Sequence, residues 1–237
     1  MTHSSSNKKY VLLFFMSLEP AGYPKRKITE RYTDYFAALN RLLQLRVDNF
    51  AEILICENTV GLRNNTKLAN LASKFLYSTS TNSGVKNKGI GELSMAVQAK
   101  KDFASLFQNA EKIIWMSGRH IPTSHVIFEE AFSFKEDALV SNPDFFYLDG
   151  SITETAKEGL INDMFFSMKK DYFFEYLEYF LRNAEEMENL KIGSEQLLFS
   201  FITSKDLKVR VLPTLGLLRR EYKSRFKRLE KSVWHVC

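Results

Sequence analysis

The chain has 237 residues, 45% of them apolar and 26% charged, which suits one substantial folded domain and excludes a disordered polar chain. Its two cysteines, Cys56 and Cys237, exclude a disulfide framework or a cysteine-based zinc site and fit a reducing compartment. The net charge of +5 is matched by residues 219–231 alone, where seven basic side chains stand against two acidic ones; the excess belongs to the tail and says little about the body.

Residues 1–8 are polar and are expected to be a disordered N-terminus. The apolar run Tyr10–Leu18 has strand length, is too short for a membrane span and follows no secretory leader; a soluble cytoplasmic protein is the expectation. A Pro- and Gly-bearing loop, Glu19–Lys27, leads to a helix marked by Tyr32, Tyr35, Phe36, Leu39, Leu42 and Leu43 at three- and four-residue spacing. Ile53–Cys56 reads as a buried strand ending at Glu57-Asn58, Leu62–Ala72 as a helix and Lys74–Ser78 as a third strand. The polar segment Ser78–Gly91 is a loop whose end opens a helix with Ala96, Ala99, Phe103 and Phe107 inward, and Ile113–Met116 is a fourth strand.

The alternation of strand and helix predicts an α/β fold: a single, mainly parallel twisted sheet with helices on both faces. In the second half, Phe145–Leu148 and Asp163–Met168 are expected strands, and Tyr172–Arg182 a helix with Phe173, Tyr176, Leu177 and Phe180 on one side. Ser194–Ser204 is a further helix capped by Ser194, and Val209–Leu212 a late strand. Leu218, Tyr222, Phe226 and Leu229 then predict a basic C-terminal helix over 216–237, docked on the body or lying on an anionic membrane surface through 218–231. One α/β domain over 9–215 followed by this helix is the expected organisation.

Ligands of parallel sheets bind beyond the carboxyl ends of the strands, which directs attention to four clusters. Asn87-Lys88-Gly89-Ile90-Gly91-Glu92 places glycines and a lysine at a helix start, suited to phosphate or ribose, although an ordinary glycine loop reads the same way. Ser117-Gly118-Arg119-His120 puts a guanidinium at the sheet edge, able to hold a diphosphate bidentately or to pair with a carboxylate. Glu57-Asn58 can read the polar rim of a nucleoside or serve a turn, and Glu195-Gln196 opens a helix where an acidic residue is favoured without any function. His120 and His125 have no ligand set at metal spacing.

In this order the clusters resemble the nucleotide-diphospho-sugar transferase superfamily, the A-type glycosyltransferases, with a Lys-Gly-x-Gly-Glu segment and a later Ser/Thr-Gly-Arg segment as in bacterial and viral polysaccharide-type members. The resemblance covers residues 9–120 well and 140–215 loosely. It implies a Rossmann-like fold, a nucleotide-sugar donor and a glycan or lipid-linked acceptor. It places Glu57, Asn87, Lys88 and Gly89 at the nucleotide site, which Asn58 and Arg119 join on the reading of the strand ends, and makes Glu195 and Asp163 the candidates for the base that deprotonates the acceptor. Where such enzymes carry an Asp-x-Asp pair for a divalent metal, this chain reads Ser117-Gly118-Arg119, so metal-independent transfer without a further cofactor is expected, Arg119 offsetting the diphosphate charge with Lys88. A catalytically silent relative that binds a nucleotide or glycan is the alternative. A nucleic-acid partner has only the basic tail as footing and is not expected.

Overall fold

The structure, a computed structural model, describes residues 8–59, 75–79, 87–141, 161–212, 216–221 and 233–236. Strands β1 (Tyr10–Met16), β2 (Ala51–Glu57), β3 (Leu76–Thr79) and β4 (Lys112–Ser117) are parallel and lie side by side in the order β3-β2-β1-β4. β1 is an unbroken apolar run because both its faces are covered. Val11, Leu13 and Phe15 enter one core cluster, and Leu12, Phe14 and Met16 enter the other.

Helices α1 (Lys25–Gln44), α2 (Lys88–Asp102), α3 (Ala104–Asn109), α4 (Val126–Ser133), α5 (Lys170–Leu190) and α6 (Ser194–Ser204) supply the two covers. Tyr35, Ala38, Leu39 and Leu42 of α1 pack on one face with Ile127, Phe128 and Ala131 of α4. Leu93, Ala96 and Ala99 of α2 pack on the other, with the aromatic stripe Phe173, Tyr176 and Phe180 of α5 and with Leu197, Leu198 and Phe201 of α6.

Beyond β4 the sheet runs on through β7 (Asn162–Lys169), β6 (Ala138–Ser141) and β8 (Val209–Val211). β7 is antiparallel to both of its neighbours, and β8 is parallel to β6, so one strand of the seven opposes the rest. The expected mainly parallel sheet with helices on both faces is what the chain forms. A second sheet, in the order β10-β9-β5, joins β5 (His120–Pro122), β9 (Leu217–Glu221) and β10 (Val233–Val236), all antiparallel.

Several expectations need correction. The last segment is not one helix over 216–237, because its described residues form β9 and β10. Leu217 is fully buried in the core, Gly216 turns the chain at φ +55, and its carbonyl accepts bonds from the Thr123 amide and hydroxyl. Pairing with β5 therefore overrides, at Leu218, the helical spacing read from the sequence. The helix that starts at Lys88 stops at Asp102, Phe103 breaking it from α3. α4, β5 and β6 had no counterpart in the sequence reading. The expected helix 62–72 and strand 145–148 lie outside the described residues. No described helix is long and apolar enough to cross a membrane.

The chain leaves β1 for β2 and β3 on one side and returns to β4 on the other. The strand order thus reverses between β1 and β4, and the crevice at their carboxyl ends is the position where open α/β sheets bind ligands.

Candidate functional site

That crevice is lined by the residues that leave β1, β2 and β4. Ser17, Asn58, Ser117 and Arg119 share a cavity of about 210 Å³ with Tyr23, Arg31, Tyr35, Lys88 and Glu92. Pockets that enclose a whole drug-sized ligand run from roughly 300 to 1,000 Å³, so this cavity is sized for part of such a ligand, not for all of it.

Gly118 makes the crevice possible. Its amide donates to the Phe15 carbonyl at 2.9 Å, and a Cβ there would lie 2.3 Å from that oxygen and 2.9 Å from the Tyr35 ring. Only a residue without a side chain lets β4 turn this close to β1, and the turn presents Arg119 to the cavity. Among the described residues no carboxylate forms an ion pair with Arg119.

A second guanidinium comes from α1. Arg31 is 7% exposed, yet it sits on the buried stripe of its helix. Its Nε donates to the Ser17 carbonyl at 2.6 Å and its Nη2 to the Tyr35 hydroxyl at 3.0 Å. The Tyr23 and Tyr35 rings each lie 5.5 Å from it. The Tyr35 hydroxyl also accepts from the Ser17 amide, and burial raises its pKa, keeping it a neutral spacer between loop and helix.

The residues placed at the nucleotide site by the sequence divide into two groups. Asn58, Lys88 and Arg119 line the cavity. Glu57, Asn87 and Gly89 build its walls. Glu57 is fully buried; both its oxygens accept from the Leu18 amide at 3.2 Å, and Oε1 also accepts from the Thr59 amide at 2.7 Å and from the Thr59 hydroxyl. This carboxylate clasps the loops after β1 and β2. Asn87 caps α2 by accepting from the Gly89 amide at 2.9 Å, and its side-chain amide donates to the Ile192 carbonyl at 2.9 Å, tying that cap to the turn before α6. Gly89 permits close approach of protein to protein: a Cβ there would lie 2.7 Å from the Ser194 amide nitrogen.

That contact gathers the acidic residues. Asp163 at the start of β7 and Glu195 in the first turn of α6, the two candidate bases, are brought together with Glu92 and Lys88. Ser194, expected as the helix cap, is instead the first helical residue after an N-cap at Gly193; it is buried, and its hydroxyl donates to Asp163 Oδ2 at 2.5 Å. Lys88 Nζ lies 3.2 Å from Glu92 Oε1, and Glu92 followed by Asp163 raises the ammonium pKa against the opposing effect of burial. Burial, then Glu92 and Glu195, pushes the Asp163 carboxyl up from 3.8 to about 7. A carboxyl poised there exchanges its proton near neutral pH, as a general base must.

Arg31 and Ser194 were not picked out as site residues from sequence, and Glu92 entered only as the last residue of the cluster that begins at Asn87. Arg31 did carry a signal, since it falls four residues before Tyr35 at the start of the stripe that Ala38, Leu39 and Leu42 continue. Elsewhere, His120 Nδ1 lies 3.0 Å from the Ser117 carbonyl, and His125 pairs with Glu129 at 3.2 Å, so neither reaches the cavity.

No protein-family profile and no curated protein matches the sequence. Solved structures do match. A candidate nucleotide-diphospho-sugar transferase from Desulfovibrio desulfuricans G20 aligns over 86% of this chain and 80% of its own, with a TM-score of 0.52 and 14% identity. A candidate glucose-1-phosphate thymidylyltransferase from Bacillus anthracis aligns over 96% and 89%, with a TM-score of 0.52 and 12% identity. The galactosyltransferase LgtC, solved with donor and acceptor sugar analogues, aligns over 84% and 72%, with a TM-score of 0.51 and 10% identity. The chain has the fold shared by the nucleotide-diphospho-sugar transferases and sugar-nucleotide nucleotidyltransferases. Every one of these neighbours is named as a transferase of glycosyl or nucleotidyl groups.

Proposed function

We propose that the protein transfers a sugar from a nucleotide-sugar donor to a hydroxyl of a glycan or lipid-linked acceptor. The observation that carries this reading is the convergence of Arg31, Arg119 and Lys88 on one cavity at the β1–β4 switch point, beside a carboxyl whose pKa is about 7. Two guanidiniums and an ammonium suit the diphosphate, and their charge offsets the charge that grows on it as the nucleotide departs. The acceptor oxygen attacks the anomeric carbon, the bond from that carbon to the diphosphate oxygen breaks with its electron pair leaving on the nucleotide, and the acceptor's proton goes to Asp163 or Glu195.

The place of the Asp-x-Asp pair is held by Ser117, Gly118 and Arg119, and a cation in that position repels a divalent metal instead of binding it. Among the described residues, no three His, Cys, Asp or Glu side chains are grouped to hold a metal ion. Arg119 at that place does not suit a metal ligand, and in this reading the positive charge comes from the three side chains. The test is turnover of nucleotide sugars on a panel of glycan and lipid-linked acceptors, with and without EDTA. Transfer that survives the chelator supports the reading; transfer abolished by EDTA and restored by Mn²⁺ refutes its metal-free part. Selective nucleotide binding without turnover favours the silent relative.

A further inference from the structure

Glu92 holds a carboxylate oxygen that no described residue uses. The residue is 7% exposed, Oε1 takes the Lys88 ammonium at 3.2 Å, and the buried Oε2 has no hydrogen-bond partner among the described residues. Nearly all buried polar atoms are paired, and an unpaired one destabilises the fold unless something else supplies its partner. The Lys88 contact sits on a largely exposed side chain and offsets little of that cost.

The position of Glu92 says what the missing partner is. It lines the same cavity as Arg31 and Arg119, one helical turn from Lys88 at the mouth of α2. On the transferase reading the arginines hold the diphosphate, and the sugar attached to it shares the cavity that Glu92 lines. A carboxylate oxygen accepts hydrogen bonds, and the donors that a sugar offers it are hydroxyls. We propose that Glu92 Oε2 accepts a hydrogen bond from a hydroxyl of the donor's sugar and so distinguishes the sugar conjugate from the free nucleotide. This inference rests on the transferase reading and adds a specificity-determining residue to it.

The experiment compares the affinity of UDP, CDP, GDP and dTDP with that of their hexose conjugates in the wild type, in Glu92→Gln and in Glu92→Asp. The expected wild type binds one conjugate more tightly than its free diphosphate. Both variants lose about tenfold in affinity for the conjugate, the scale of a hydrogen bond to a charged group, and keep their affinity for the free diphosphate. The aspartate keeps the charge but withdraws it by one methylene, so it separates reach from charge should the glutamine variant fold poorly. Equal weakening of both ligands makes Glu92 a support for Lys88 and overturns the inference, as does no change in either. A wild type that binds no nucleotide at all fails earlier, at the transferase reading itself.

Discussion

The hydroxyl of Ser194 donates to Oδ2 of Asp163 at 2.5 Å, and this bond joins the first residue of α6 to the start of the antiparallel strand β7. Ser194 is also the residue against which Gly89 packs, so one side chain sets both the approach of α2 and the orientation of the carboxyl beside the cavity. The acidic cluster is therefore a product of helix packing, and its parts should respond together to substitution.

Asp163 titrates at about 7 in the folded protein and near 3.8 as an ordinary side chain. The folded state therefore holds a proton over a range where the unfolded chain has released it. Its contribution to stability is full at about pH 4 and below, declines as pH rises toward about 7, and levels above that. Turnover runs the other way, because a base must be ionised, and should rise through about pH 7. Asp163→Asn should remove this decline in stability and lower turnover by about 10²–10⁴-fold. Urea titrations across the pH range check the first statement and pH–rate profiles the second. A wild-type stability that rises over this interval contradicts the assignment.

Gly89→Ala should destabilise the protein by about 1–3 kcal/mol, because the added methyl meets backbone and Ser194 cannot withdraw without moving α6. At an uncrowded helical position the same change usually stabilises by about 0.4–1 kcal/mol. Thermal and urea unfolding separate the two by sign.

Glu57→Gln replaces one acceptor oxygen of the clasp by an NH₂ group facing amide donors. The loss should be about 1–3 kcal/mol of stability, the cost of buried donors left unpaired. Nucleotide affinity should fall as well, since the clasp sets the path of the chain at Ser17 and Asn58. An unchanged unfolding midpoint would show that the buried carboxylate is not needed.

The parallel half of the fold was legible because its strands are covered on both faces and read as continuous apolar runs, and the stripe of α5 was legible because Phe173, Tyr176 and Phe180 repeat at helical spacing. α4 was not, being eight residues long with no cap that bonds from its side chain. β9 was misread because its conformation is set by pairing with β5, about a hundred residues earlier, while local spacing favoured a helix. At the site, residues next to a strand end or at a helix start were readable: Asn58, Lys88 and Arg119 do line the cavity. What sequence could not supply was the meeting of Glu92, Asp163 and Ser194, which come from three separate elements. Glycine was ambiguous for a related reason. Gly89 and Gly118 both allow close approach, but only the folded chain shows that they approach Ser194 and Phe15.

The central claim is that Arg119 and its neighbours form a nucleotide-diphosphate site that needs no metal. It is tested most directly by the thermal shift of the wild type and of Arg119→Ala with UDP, CDP, GDP, dTDP and their sugar conjugates, each with and without EDTA. The account predicts a rise in unfolding temperature for one nucleotide that EDTA leaves unchanged and that Arg119→Ala abolishes. No rise with any nucleotide, or an equal rise in the variant, contradicts it.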